Sequence, residues 1–158
     1  MSEIRVRKYH RRDRPAVLGI TQRSFQGFCM ESNIEEHFGT IADTDWAERK
    51  KNGIEYDLRR HRKHAFVAEM DGEVVGFLCS RVYRSIEVGH VANMAVAPEY
   101  QGRGAGKKLL EAALEHFREE GLSYARIETL EQNYKGRKLY PTFGFEEIGK
   151  QIFYFREL

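Results

Sequence analysis

The strongest constraint on this chain is a change of hydrophobic period midway along it. From His64 the apolar residues alternate: Ala65-Phe66-Val67-Ala68-Glu69-Met70, then Asp71-Gly72, then Val74-Val75-Gly76-Phe77-Leu78-Cys79. An Asp-Gly pair between two apolar runs predicts a β-hairpin. A third run, Ile86 to Val96, stops before Pro98, which has no N–H to continue a ladder. Between Gly104 and Glu120 the period becomes helical: Leu109, Leu110, Ala113, Leu114 and Phe117 recur at spacings of three and four, and Gly121 closes the stripe. Tyr124 to Thr129 then reads as a strand. The run Ile86–Val96, the helix and this strand therefore predict parallel strands joined by a right-handed crossover.

The flanks are read in the same way. Ile4 to Val6 is a short strand candidate, and Asp13 or a neighbour is placed to cap a helix that starts at Pro15 and carries Val17, Leu18, Ile20 and Phe25. One or two helices are expected between Gln26 and His61, one of them over Trp46 to Arg59. A short helix near Tyr134–Tyr140 and a final hairpin, Phe145–Ile148 and Gln151–Phe155 about Gly149-Lys150, complete the pattern. The expected fold is α/β: a single mixed, mostly antiparallel sheet of about six to seven strands, with a central parallel strand-helix-strand unit and helices on both faces. With 158 residues, 41% of them hydrophobic, residues 1–158 suit one domain with its own core.

Composition narrows the function. The net charge of +2 is too balanced for a surface built to hold nucleic acid, and no helix-turn-helix or aromatic-interleaved basic stripe is present. The charge is uneven: residues 1–14 carry +4, while residues 31–57 carry eight acids against three bases, a balance of −5. Cys29 and Cys79 are too few for a disulfide framework and lack metal-ligand spacing, so both are expected reduced and no metal site is predicted. The amino-terminal stretch is charged from its third residue, and no run approaches the ~18 apolar residues of a membrane span. A cytoplasmic location is expected.

The segment Pro98-Glu99-Tyr100-Gln101-Gly102-Arg103-Gly104-Ala105-Gly106-Lys107 lies where a strand ends and a helix begins. The first turn of a helix has N–H groups without intrahelical partners and about half a positive charge, which phosphate oxygens can satisfy. Gly102, Gly104 and Gly106 keep that approach free of side chains, and Arg103 and Lys107 add charge beside it. A dinucleotide fingerprint counted from Gly102 fails because Lys107 stands where glycine is needed; a P-loop aligned on Gly106-Lys107 fails at Gln101 and Lys108. The pattern that fits is [RQ]-x-x-G-x-[GA], met by Gln101, Gly104 and Gly106 directly after Met94-Ala95-Val96-Ala97-Pro98. Here the chain resembles the GNAT superfamily of acetyl-CoA-dependent N-acetyltransferases. The resemblance implies that the amides of residues 102–107 bind the CoA pyrophosphate and that the strand at Met94, Ala95 and Val96 pairs with the pantetheine arm.

Farther on, Glu128, Asn133 and Tyr140 stand at offsets of five and seven, with Gly144-Phe145 four residues beyond. This spacing is similar to the GNAT branch that acetylates protein amino termini. The resemblance implies that Asn133 bonds the pantetheine region, Tyr140 is the general acid and Glu128 the general base. Acyl transfer to an amine needs a base, because lysine side chains (~10.4) and α-amines (~7.7–8.0) are largely protonated at pH 7. Ala92 stands two residues before Met94, where many members carry glutamate, so Glu128, His90 or ordered water is left to take the proton. Tyr140 also fits a packed core position, and Glu128 a surface strand position paired with Arg126 or Arg137. Two readings follow: an N-acetyltransferase acting through a ternary complex on a cationic amine (polyamine-like, aminoglycoside-like or peptide), or a non-catalytic CoA-binding module. The apolar end Ile152-Phe153-Tyr154-Phe155 could pair across a homodimer.

Overall fold

The computed structural model describes residues 2–158. Its one sheet runs in sequence order: β1 (Arg5–Lys8), β2 (Ala65–Met70), β3 (Glu73–Tyr83), β4 (Val88–Val96) and β5 (Tyr124–Ile127). The first four are antiparallel neighbours, and β5 is parallel to β4. Helices α1 (Arg14–Ser24), α2 (Met30–Phe38) and α3 (Trp46–Arg60) separate β1 from β2; α4 (Ala105–Glu119) is the crossover, and α5 (Tyr134–Leu139) follows β5.

Local chemistry explains these elements. Asp71 and Gly72 both take positive φ, 52° and 82°, the conformation a two-residue hairpin turn needs to match strand twist. The alternation of β2 sends Phe66, Ala68 and Met70 to one face, where Leu109, Leu110, Ala113 and Phe117 of α4 cover them. Val67, joined by Phe77, Cys79 and Ala95, meets Val17 and Ile20 of α1 and Ile54 and Leu58 of α3 on the other face. Helices thus lie on both faces. Asp45 caps α3 by accepting from the Glu48 N–H at 2.8 Å. Asp13 does not cap α1 through its side chain. It is buried and instead accepts from both Arg7 guanidinium nitrogens (2.8 and 2.9 Å) and from the His10 N–H (2.8 Å), which fastens the turn before α1 to β1.

The sheet has five strands, not six or seven, because the expected carboxy-terminal hairpin does not form. Residues 145–158 form neither helix nor strand and lie outside the sheet. Gly149 is absent from the positive-φ glycines, so Gly149-Lys150 does not make the primed turn a tight hairpin requires. Among the described residues no helix is long and apolar enough to cross a membrane. Both cysteines are free and buried, and burial raises both thiols above their ordinary range.

One buried contact was invisible in the sequence. His64, just before β2, and His116 in α4 meet at 2.7 Å between Nδ1 and Nε2, with Lys8 Nζ 3.2 Å from His116 Nδ1. Burial, aided by the neighbouring His116, lowers His64 from 6.5 to about 4, and burial also lowers His116. Between those values the unfolded chain binds a proton at His64 that the folded chain refuses. The stabilisation is therefore complete above pH 6.5 and is lost as pH falls toward 4, by on the order of 3 kcal/mol at most for His64. Urea midpoints should fall steeply between pH 6.5 and 4.5 in the native chain and more shallowly in a His64→Gln variant. Equal slopes would show that His64 does not govern acid sensitivity.

Candidate active site

The site begins where β4 and β5 separate. Their parallel pairing runs from Val88↔Tyr124 to Val91↔Ile127 and stops. Just there the β3–β4 register slips, from Ser80↔Val91 to Cys79↔Asn93, so Ala92 is an extra, bulged residue. The bulge bends β4 while its other edge stays on β3 as far as Val96. Ala97 N–H donates to Val75, so by the two-residue alternation of an antiparallel ladder the Ala95 main chain also turns to β3, and the main-chain groups of Met94 and Val96 face the cleft. The Val96 carbonyl agrees with this orientation: it accepts from Ser24 Oγ and from Gln101 Nε2, each at 3.1 Å.

Beyond the cleft floor lies the glycine turn. Gly102 and Gly104 have φ of 78° and 91°, and a β-carbon at either would meet nothing within 4 Å, so their faces open outward. The first main-chain bond of α4 is Lys108 N–H to the Gly104 carbonyl, 3.1 Å, and no side chain caps the helix. The N–H groups of Ala105, Gly106 and Lys107 precede that bond and stay available. Gly106 serves differently: a β-carbon there would sit 3.8 to 3.9 Å from Leu139 and Val96 methyls, at the seam where α5 approaches the start of α4. Arg103 lies over the Tyr100 ring, 5.4 Å from its centre, and Lys135 bonds Gln101 Oε1. Anion-binding amides and cations thus gather at one end of the cleft.

At the other end the chain leaving β5 divides the remaining candidates. Glu128, with its side chain 58% exposed, accepts from His90 Nε2 at 2.8 Å and from Arg126 Nε at 3.2 Å. His90 is buried on β4 behind it; burial lowers its pKa, and its Nδ1 has no hydrogen-bond partner among the described residues. The neutral ring therefore donates to Glu128 without neutralising it. The next residue, Thr129, accepts from Asn133 Nδ2 at 2.8 Å, while Asn133 Oδ1 caps α5 through the Gly136 N–H at 3.2 Å. Tyr140 stands in the 3₁₀ turn after α5, its ring edge-on to Phe145. Burial raises the Tyr140 phenol above 10, and the adjacent Thr129 hydroxyl offsets this in part. Glu128 itself and Thr129, whose hydroxyl bonds Tyr140, are thus consecutive residues of one segment.

Two features escaped the sequence reading. Gly136 is the first: a β-carbon there would fall 2.7 Å from Asn133 Nδ2 and 2.8 Å from the Tyr140 hydroxyl. Glycine here is a matter of space rather than φ, and its position three residues after Asn133 at a helix start was the available signal. Gly136→Ala should displace the Tyr140 hydroxyl and lower turnover about tenfold or more, by misplacement of the reacting group, with acetyl-CoA affinity held within about threefold. Steady-state kinetics beside calorimetry check this; unchanged turnover would remove Tyr140 from the chemistry. The second feature is a polar chain across the acceptor side of β4. Buried Asp57 of α3 accepts from Arg81 Nε at 2.8 Å and from Asn93 Nδ2 at 3.2 Å, and Asn93 Oδ1 accepts from Lys50 Nζ at 2.8 Å. Part of the −5 charge of residues 31–57 is therefore neutralised internally.

The split mixed sheet thus has an uncapped, glycine-lined helix start, able to bind an anion, at the mouth of its cleft. Residues 25–145 match the Acetyltransferase (GNAT) family, and the chain belongs to it. An uncharacterized N-acetyltransferase of Archaeoglobus fulgidus is 38% identical over 97 residues, 58% of this chain and 66% of that protein. A mycothiol acetyltransferase of Streptomyces griseus is 37% identical over 83 residues, 52% of this chain and only 27% of that protein. Among solved structures, the PaiA N-acetyltransferase of Thermoplasma acidophilum in complex with coenzyme A superposes with a TM-score of 0.75 at 21% identity, covering 94% of this chain and 93% of that one. At that identity the likeness concerns the fold alone.

Proposed function

We propose that the chain moves an acetyl group from acetyl-CoA to a primary amine by direct attack in a ternary complex. The observation that carries this reading is the uncapped start of α4 beside the β4–β5 split. Amides of residues 102–107 hold the pyrophosphate, helped by Arg103 and Lys107, and the main-chain groups of Met94 with the Val96 N–H hold the extended arm so that the thioester lies in the split. Glu128 takes a proton from the acceptor ammonium, and His90 fixes its carboxylate. The neutral amine then attacks the carbonyl carbon, collapse of the tetrahedral intermediate breaks the C–S bond, and the new amide nitrogen gives up its second proton to solvent. Tyr140 gives its proton to the departing thiolate and regains one from solvent. Asn133 supports this end by holding Thr129 and the start of α5.

The acceptor enters against α2 and α3. The surplus acid there favours a cation, whether polyamine-like, aminoglycoside-like or a peptide amine. Thiol release from acetyl-CoA, measured against diamines, aminoglycosides and short peptides, tests the reading. Release with at least one class is expected. Heat of CoA binding without release from any acceptor would leave a CoA-binding module, and no heat at millimolar CoA would overturn the cofactor assignment as well.

A further inference from the structure

Two imidazoles packed against each other take no part in the acyl transfer. His64 Nδ1 and His116 Nε2 face each other across 2.7 Å, and both side chains are buried (4% and 8% exposed). Glu120, four residues beyond His116, closes a third side: one nitrogen of each ring and one of its carboxylate oxygens all lie within 4.8 Å of one another. Its Oε1 stands 3.9 Å from His116 Nε2, while Oε2 is held by Arg84. One oxygen is thus oriented by a guanidinium and the other is left to face the rings.

The backbone holds these three donors in place. His116 and Glu120 are an i,i+4 pair at the end of α4, so both side chains project from one face. His64 closes the 3₁₀ turn before β2; its N–H donates to the His61 carbonyl at 2.8 Å, and its own carbonyl accepts from Ser80 Oγ at 2.6 Å. Phe66 packs edge-on against His116, with ring centres 5.5 Å apart, and gives the pair an apolar wall. Around it the cations Lys8 and Lys63 are matched by Glu119 and Glu120. Two imidazoles and one carboxylate, with a position left for water, are a donor set that zinc takes.

We infer that His64 Nδ1, His116 Nε2 and Glu120 Oε1 bind a divalent transition ion of the zinc class, which fastens the end of α4 to the start of β2. Without the ion, one hydrogen lies between the two ring nitrogens. Lys8 Nζ, 3.2 Å from His116 Nδ1, donates there and so fixes that hydrogen on His116 Nε2. The ion takes the place of this hydrogen, which passes to His116 Nδ1, and the proton count of the chain is unchanged. Lys8 would then meet a donor; its exposed side chain turns out to solvent. A tetrahedral ion with nitrogens at about 2.0–2.1 Å holds them about 3.3 Å apart, so the rings part by about 0.6 Å from their 2.7 Å contact.

Calorimetry and thermal unfolding of the full, tag-free chain, stripped with chelator and titrated with Zn²⁺ near neutral pH, test this. One ion per chain is expected, with a Kd of about 1 µM or tighter. At about 100-fold excess over Kd the thermal midpoint should rise by about 5–10 °C. His64→Gln and His116→Gln should each weaken binding about a hundredfold or more. Because a buried substitution can also loosen the fold, Glu120→Gln provides an independent check: it keeps the size of the side chain and its contact with Arg84, and should weaken binding about tenfold or more. Lys8→Met removes the competing donor and keeps a stem over Phe66, so it should tighten binding about threefold or more. No heat and no midpoint shift at millimolar Zn²⁺, an affinity unchanged by Glu120→Gln or by both histidine variants, or one weakened by Lys8→Met would each overturn the inference. None of these readouts depends on acetyl-CoA, so the proposed activity stands or falls separately.

Discussion

Tyr140→Phe should lower turnover by 10²-fold or more while leaving acetyl-CoA affinity and thermal stability nearly unchanged. The substitution deletes one oxygen and keeps the ring, so the edge-on contact with Phe145 survives. What is lost is the proton donor to sulfur. Burial raises the Tyr140 phenol above its ordinary value, which keeps it protonated across the working range. A thiolate of the cysteine type, near 8.5, is a weaker base than a phenolate, so the hydroxyl acts first by donating a hydrogen bond to sulfur as charge builds there, and full transfer is drawn forward by reprotonation of the phenolate from solvent. The group therefore acts in the transition state and hardly in the bound ground state, and a fall in kcat with an unchanged Kd for acetyl-CoA is the signature. A variant within threefold of the native turnover would return Tyr140 to the packing role its Leu-Tyr-Pro context also allows.

Signals that act over a few residues were readable in the sequence, and those that need distant partners were not. The Asp71-Gly72 turn, the α4 stripe and the opening at Gly102 and Gly104 each follow from local backbone preference or period, and the structure places them where those rules put them. The bulge at Ala92 has no such mark: nothing between Val91 and Asn93 departs from ordinary strand composition, and the slip is defined only against β3. His64 and His116 are 52 residues apart and become neighbours only when α4 lies on β2. Asp57 counted as one acid in a charge balance until the fold brought Arg81 and Asn93 to it. The terminal hairpin expected from composition is absent for the opposite reason. Residues 151–155 have strand composition, but composition does not say which edge receives a strand, and Gly149-Lys150 did not supply the turn. The site shows the same division. The glycine turn was legible as a motif, whereas the pairing of Glu128 with His90, and the reason Gly136 cannot carry a side chain, required coordinates.

Glu128→Gln should lower turnover at pH 7 by about 10²- to 10³-fold, within the range typical of a lost general base. Glutamine keeps the size of the side chain and can still accept from His90 Nε2 through its amide oxygen, so the cleft holds its shape while the proton acceptor disappears. The pH profile separates this role from a structural one. An α-amine acceptor, titrating near 7.7–8.0, reaches its neutral form unaided by about pH 9.5, and the deficit against such a substrate should shrink toward tenfold there. A lysine-type amine, near 10.4, is still mostly protonated at that pH, so its deficit should persist. A merely structural role for Glu128 would give the same deficit for both acceptors at every pH, because misfolding does not distinguish one amine from another. His90→Gln should give a smaller loss of about tenfold, since it removes the group that orients the carboxylate and leaves the base itself. If His90→Gln proved the more damaging of the two, the proton would belong to the imidazole and Glu128 would be its support.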